Sequence, residues 1–297
     1  MKILVTGAKG MLGRQVVEDL ERGYTEIGRV PEEVKNAEVI GTDSQTLDIT
    51  DKNKTNLFVG EVSPDVIINC AAYTNVDGCE TDGESAYKVN ALGVRNLAMA
   101  AEKVGAKLIH ISTDYVFSGT GNTPKREYDT VRPVSVYGKT KYEGEVFARQ
   151  YCKRLFIVRT SWLYGYRGKN FVKTMLWLAK EKGGASVVND QIGNPTNAAD
   201  LSHHLIKLCA SEEYGVYHCT GNGECSWFEF AREIVRLGGF DPELIQPCTT
   251  EEYAEKFSVP TKRPEYSSLD NMMLRMTVGD EMRPWQLALE SYFKNRK

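Results

Sequence analysis

Residues 1–20 read MKILVTGAKGMLGRQVVEDL. Lys2–Thr6 is a short apolar run closed by a turn, the pattern of a strand buried on both faces of a parallel sheet. Gly7, Gly10 and Gly13 punctuate the next stretch, and an apolar-periodic helix runs through Leu12, Val16, Val17 and Leu20. Strand, glycine-rich turn and helix in that order form a dinucleotide-binding unit. Gly7 permits the tight turn, Gly10 lets backbone approach a pyrophosphate, and Gly13 lets helix pack on strand. The helix N-terminus supplies N–H groups and positive dipole to the phosphates. The cofactor seat then comprises Gly7, Lys9, Gly10, Met11, Leu12 and Gly13. The spacing is G-x-x-G-x-x-G rather than G-x-G-x-x-G, so a plain tight βα turn is the competing reading.

Outward from that unit, strand-like and helix-like runs alternate. Glu38–Thr42 reads as a second strand ending at Asp43, where an acidic residue accepts from adenosine ribose hydroxyls. Leu47-Asp48-Ile49 leads into a helix over Asp51–Val59. Asp48 either faces the adenine, beside Ile49, or is a carboxylate near the helix N-cap. Asp65–Cys70 reads as a third strand. It runs out into Ala71 and Ala72, small residues that let a flat ring system pass close by. Tyr73, Thr74 and Val76 follow at the strand's carboxyl end, where ligands bind in open α/β sheets. Ser85–Val104 is helical by period, with Asn90 as its polar residue of interest; a side-chain-to-backbone bond is the plain alternative for that asparagine. Lys107–Ser112 is a fourth strand, and Ser118–Pro133, rich in Gly, Pro and charge, a surface loop and candidate lid. Val136–Gln150 is a helix and Leu155–Thr160 a fifth strand.

Alternating βα units over 1–160 predict an α/β fold with a doubly wound parallel sheet. The pattern then loosens into helices over Phe171–Glu181, Asn197–Cys209 and Ser226–Leu237, with strands at Val187–Asn189 and Gly215–Cys219. Residues 161–297 are expected to be mainly a smaller C-terminal α/β substrate-binding region, with parts of about 185–210 returning to the sheet. Such a cap closes a cleft for substrate.

Composition narrows the function. A net charge of −3 without a Lys/Arg cluster offers no field for nucleic acid. No apolar run approaches the ~20 residues of a membrane span. Met1 leads straight into a strand, so no signal peptide is expected. Seven scattered cysteines without a C-x-x-C point to neither a disulfide framework nor a cysteine zinc site. The cytosol is the expected compartment.

The chemistry gathers in residues 112–145, STDYVFSGTGNTPKREYDTVRPVSVYGKTKYEGE. Tyr137 and Lys141, four apart on a helix, share a face with Cβ atoms about 5–6 Å apart. An ammonium that close lowers a phenol from its usual pKa of ~10, which suits a proton donor in carbonyl reduction. An isolated Y-x-x-x-K is common by chance; Thr113, just past the fourth strand, and the glycine turn give this one its context.

These residues resemble the extended short-chain dehydrogenase/reductases, whose fold is Rossmann-like. The sequence is more similar still to the dTDP-4-dehydrorhamnose reductases. The matching strings are Ser112-Thr113-Asp114-Tyr115-Val116-Phe117, Val136 to Lys141, Arg159-Thr160-Ser161-Trp162, Asn170 to Met175, Asn189-Asp190-Gln191 through Pro195-Thr196, and Arg263-Pro264 with Ser267. They run in order over almost the whole chain. The resemblance implies NAD(P)H-dependent reduction of the 4-keto group of a dTDP-linked 6-deoxyhexose, giving dTDP-rhamnose. It implies that Tyr137 protonates the developing alkoxide, that Lys141 tunes Tyr137 and binds the nicotinamide ribose, and that Thr113 holds the substrate oxygen. It places Thr74, Val76, Tyr115 and Trp162 near the sugar. Asp43 leans toward NADH, while Lys9 and Gln45 leave room for the extra phosphate of NADPH, so both cofactors stay open. Some members of that family bind Mg²⁺ at a dimer interface through a glutamate early in the first helix. Gln15 stands there in this chain, a weak ligand for a hard cation; no metal-ligating residue is assigned, Mg²⁺ is a doubtful cofactor, and a homodimer stays open.

Four alternatives compete. Sugar-nucleotide epimerases generally carry a small-residue Ser-Ser-Ala-type turn where this chain has Thr113-Asp114-Tyr115, a turn that suits a reductase better. Sugar-nucleotide 4,6-dehydratases share the Tyr and Lys but carry Asp-Glu after the Thr, and Asp114 is followed by Tyr115, so the elimination base is missing. A different sugar-nucleotide 4-ketoreductase fits the same residues. The regulatory β subunit of methionine adenosyltransferase resembles this family without being a reductase; the full set of Thr113, Tyr137 and Lys141 argues against that reading.

Overall fold

The computed structural model describes residues 1–257 and 261–296. Runs of Val, Ile and Leu form strands β1 (Lys2–Thr6), β2 (Glu38–Thr42), β3 (Val66–Asn69), β4 (Lys107–Thr113) and β5 (Leu155–Thr160). All pair in parallel, and the edge strand Gly215–His218 adds beside β5 with Gly215 opposite Phe156. The spatial order is Gly215–His218, β5, β4, β3, β1, β2. Side chains alternate across the sheet. Ile3 and Val5 join one core with Val16 and Leu20 of the first helix and Leu201 and Leu205 of the helix Ala198–Ala210. Leu4 joins the other core with Val94 and Leu97. Helices therefore cover both faces, as the doubly wound expectation required.

Local chemistry sets the helix ends. The first helix, Met11–Arg22, stops at Gly23, whose φ of 72° lets its N–H reach the carbonyls of Asp19 and Leu20. Asp51 caps Lys52–Val62 by accepting from the Asn53 and Lys54 N–H groups. Ser135 caps the helix Val136–Tyr151 through the Gly138 N–H. The expected single helix over Ser85–Val104 is interrupted by a π-helical stretch, Lys88–Gly93, between Gly83–Tyr87 and Val94–Val104. Ile49 sits where a side chain on Gly93 would lie, so the wider turn packs tightly against that neighbour.

A second lobe is built from Phe171–Lys182, Trp227–Leu237 and Trp285–Asn295 around Val172, Met175, Phe230, Ile234 and Leu289. Ser226 and Glu229 form a capping box that starts Trp227–Leu237. Ala185–Val188 pairs in parallel with Ile245–Cys248, apart from the central sheet. In contrast, Ala198–Ala210 lies on the first helix and Gly215–His218 extends the sheet.

The segment 118–133 is not a free lid. The Lys125 N–H donates to the Ser268 carbonyl and the Asp270 N–H to that of Lys125, each at 2.9 Å. Glu127 is buried, and its Oε1 accepts from the N–H groups of His218 at 3.1 Å and Met273 at 2.9 Å. A buried carboxylate holding two backbone donors pins this stretch to the C-terminal segment, which its Gly, Pro and charge content did not signal. Among the described residues no helix is long and apolar enough to cross a membrane.

Candidate active site

Strand order reverses between β1 and β3, and the turns leaving both strands meet there. A Cβ on Gly7, whose φ is 67°, would lie 2.7 Å from the Ala71 nitrogen. A Cβ on Gly13 would lie 2.3 Å from the Gly7 carbonyl oxygen. Gly10 is the N-cap and gives the helix no side-chain cap. The first-turn N–H groups thus face outward from a turn stripped of side chains, a cradle that fits a dinucleotide pyrophosphate. Gly13→Ala is expected to push the helix off the turn at a cost of about 1–3 kcal/mol. Titrating protein fluorescence with NADPH should show weakened binding; unchanged affinity would contradict this seat.

The remaining residues expected at the cofactor divide into two groups. Ala71, Ala72 and Tyr73 lie at the carboxyl end of β3, and Asn90 fixes them: its Oδ1 accepts from the Tyr73 N–H at 2.8 Å and its Nδ2 donates to the Tyr73 carbonyl at 3.0 Å. The same Nδ2 donates to the Thr140 hydroxyl at 3.2 Å, so the plain structural role holds for Asn90. Asp43 ends β2 with its carboxylate ion-paired to Lys9. Lys9 and the Thr46 and Gln45 amides hold that carboxyl well below the usual range. Met11 packs against Gly165. Leu12 and Ile49 turn their side chains into the core, and Asn96 takes the Ile49 carbonyl at 2.9 Å. The Asp48 carboxylate is exposed and accepts from the Thr50 N–H and hydroxyl.

The helix from Ser135 brings Tyr137 and Lys141 to the carboxyl end of β4, where Thr113 ends the strand. The Tyr115 ring meets that of Tyr137 edge-on, with centroids 5.5 Å apart. Lys141 is buried and its Nζ donates to the Ile111 carbonyl at 2.6 Å. Burial pushes this lysine down to about 8, against the pull of Glu145. It acts in turn on the Cys70 thiol at the end of β3, which ties the Tyr–Lys pair to the switch point. Proximity to Lys141 was expected to lower the Tyr137 phenol; burial instead pushes it well above the usual range, with the Thr113 hydroxyl pulling the other way. Removing the phenolate from water is the dominant cause, and the Lys141 ammonium is engaged with a backbone carbonyl instead.

Trp162 follows β5 with a φ of 45°, rare for a bulky residue. The stacked Trp227 ring, 3.6 Å away at 9°, holds it from one side. On another side Gly193 leaves room, since a Cβ there would lie 2.6 Å from the Trp162 indole. Val76 opens a short helix, Val76–Thr81, and Thr74 is exposed just before it.

Residues 1–297 match the family model described as the RmlD substrate binding domain. The chain belongs to that family. It is 49% identical to the solved dTDP-4-dehydrorhamnose reductase of Clostridium acetobutylicum, with a TM-score of 0.91 over 99% of each chain. A Bacillus anthracis dTDP-4-dehydrorhamnose reductase, solved in complex with NADP, is 41% identical with a TM-score of 0.90, over 99% of this chain and 98% of that one. The spore coat polysaccharide biosynthesis protein SpsK of Bacillus subtilis is 40% identical over 99% of this chain and 98% of its own.

In this RmlD-family chain the sequence reading missed a cavity of about 500 Å³ behind the tryptophan stack. Phe171, Leu178, Val187, Trp227, Tyr253 and Arg263 are among its walls. Arg263 pairs with Asp77 at 3.2 Å while its buried Nε has no partner. The walls come from separated segments, so no local motif announces them; the aromatic cluster Trp227-Phe228-Glu229-Phe230 was the available signal. Gln15 is buried and donates its amide to the Asp19 carboxylate at 3.0 and 3.1 Å. Among the described residues no group of three His, Cys, Asp or Glu side chains is placed to hold a metal.

Proposed function

We propose that this chain reduces dTDP-4-dehydro-6-deoxy-L-mannose to dTDP-L-rhamnose with NADPH or NADH. The convergence of Thr113, Tyr137 and Lys141 beside the glycine cradle carries this reading. The bound nicotinamide supplies hydride to C4 of the sugar. Tyr137, whose phenol keeps its proton far above neutral pH, delivers that proton to the C4 oxygen as charge develops there. Thr113 donates to the same oxygen, and Lys141 holds the nicotinamide ribose. Thr74, Val76, Tyr115 and Trp162 line the sugar. The base enters the apolar cavity against Trp227 and Phe171, and the partnerless Nε of Arg263 meets the diphosphate. Residues 1–160 then mainly carry the cofactor and residues 161–297 mainly the substrate. Asp43 faces the adenosine ribose, and Lys9 beside it offsets that charge when a 2′-phosphate is present.

Product analysis over a panel of dTDP- and UDP-linked 4-ketohexoses, each with NADH and NADPH, tests the assignment. The expected result is cofactor oxidation with dTDP-4-dehydrorhamnose and a dTDP-rhamnose product. Turnover of a different 4-ketohexose alone would reassign it among sugar-nucleotide 4-ketoreductases. Cofactor binding without oxidation of any sugar at any pH would instead fit a regulatory subunit like the methionine adenosyltransferase β subunit.

A further inference from the structure

Asp114 lies directly behind Thr113 and has no part in the mechanism above. It is buried, and its Oδ1 accepts the Thr113 hydroxyl proton at 2.9 Å. Its Oδ2 is buried and makes no hydrogen bond, while the Ser267 hydroxyl lies close enough to hold the carboxyl down and stands 3.4 Å from the Ile192 carbonyl. The Thr113 oxygen also accepts from the Tyr115 N–H at 3.2 Å. A hydroxyl has one proton to give. While Asp114 is ionised, Thr113 gives that proton backward to the carboxylate and presents only lone pairs to the reacting oxygen. Once Asp114 is neutral, its own O–H can donate to Thr113, and the Thr113 proton turns forward.

We propose that Asp114 is a positioning residue which sets the direction of the Thr113 hydroxyl, so that Thr113 donates to the substrate's C4 oxygen only when the Asp114 carboxyl carries a proton. The inference rests on the reduction proposed above and adds no covalent step. A carboxylate oxygen buried without a hydrogen bond favours the neutral acid, and burial pushes this carboxyl up to about 6 against the opposing pull of the Ser267 and Thr113 hydroxyls. The titratable groups facing it are the phenols of Tyr115, on its own turn, and Tyr137, on the neighbouring helix. From the C-terminal segment comes the neutral Ser267 hydroxyl. Arg263 and Asp77 act on Tyr115 and pair with each other.

The sign follows from the raised carboxyl: the neutral, forward-donating form is populated below about pH 6 and lost above it. Initial rates of cofactor oxidation between pH 5 and 8 should therefore fall about tenfold across that ionisation, the worth of one hydrogen bond to developing charge. Asp114→Asn, with an amide that cannot titrate, should flatten the profile while NADPH affinity stays near that of the parent. Thr113→Val should also abolish the ionisation with Asp114 intact, and Thr113→Ser should keep it. A parent enzyme with a flat profile, or an Asn variant that retains the inflection, overturns the proposal. A difference infrared titration of the parent against Asp114→Asn needs no turnover. A protonated-carboxyl band lost near pH 6 is expected, and a carboxylate throughout pH 5–8 refutes the role even if the sugar is reduced. A chain that shows the band but turns over no 4-keto sugar overturns the reduction, and with it the forward role of Thr113.

Discussion

Tyr137→Phe is expected to lower kcat about 10²–10⁴-fold, the usual worth of a positioned general acid. The phenol stands against Tyr115, beside Thr113, and burial holds its proton firmly. In the reduction proposed above, its hydroxyl is the group that neutralises the alkoxide at C4. Phenylalanine keeps the ring and the edge-on contact while removing the donor. NADPH affinity should stay within a few-fold, since the glycine cradle and Lys141 are untouched. Stopped-flow measurement of hydride transfer separates the two quantities. Near-normal turnover by the phenylalanine variant would sink the assignment of Tyr137.

The second large effect concerns stability. Glu145 lies on the same helix as Tyr137 and Lys141 and is fully buried. Its Oε1 accepts from Arg159 Nε at 2.9 Å and from the Ser112 hydroxyl at 2.6 Å. Its Oε2 accepts from Arg159 at 2.7 Å and Arg149 at 3.1 Å. Arg159 is also buried and lies over the Phe117 ring at 5.1 Å. Glu145→Ala strands a guanidinium in the core, which costs about 3–5 kcal/mol. That is a large share of the roughly 5–15 kcal/mol holding a typical protein folded. The denaturation midpoint should fall at unchanged slope. The double variant Glu145→Leu, Arg159→Met should recover most of the loss, because an apolar pair of similar volume removes both desolvation costs. A single-variant loss below about 1 kcal/mol would show that the pair is solvated after all. The carboxylate also pulls the Lys141 pKa upward, so the double variant should leave Lys141 less charged at neutral pH even with stability restored.

The parallel sheet was legible because β1, β3, β4 and β5 are nearly continuous apolar runs bounded by turns. The glycine turn was legible because Gly7, Gly10 and Gly13 recur at every third position, and a Cβ on Gly7 or Gly13 would strike backbone. The fold class and the family resemblance stand on those residues. Elsewhere the local signal was weak. Ile245–Cys248 carries Pro247 and pairs only with Ala185–Val188, so neither alternation nor composition marked it as a strand. Thr250–Phe257, Met272–Met276 and Trp285–Asn295 are short or polar helices whose apolar faces are set by their neighbours. The π-helical turn at Lys88–Gly93 answers to Ile49, far away in the sequence. Site chemistry was legible as a set of residue types but not as charge states. Spacing put Lys141 beside Tyr137, yet only the fold revealed that the ammonium is spent on the Ile111 carbonyl.

Gly215–His218 forms one edge of the central sheet, and Ala198–Ala210 covers the first helix. During synthesis, Val16 and Leu20 therefore wait for Leu201 and Leu205, while β5 waits for Gly215 and its neighbours. The nascent central sheet cannot close until the chain has been made past residue 218. Until then it presents an open strand edge and an uncovered apolar helix face, the kind of surface that chaperones hold and that aggregation exploits. Contacts this distant in sequence also slow the search for the native state. A gene fragment cut at the end of β5 would yield a sheet lacking both its border strand and half its cover.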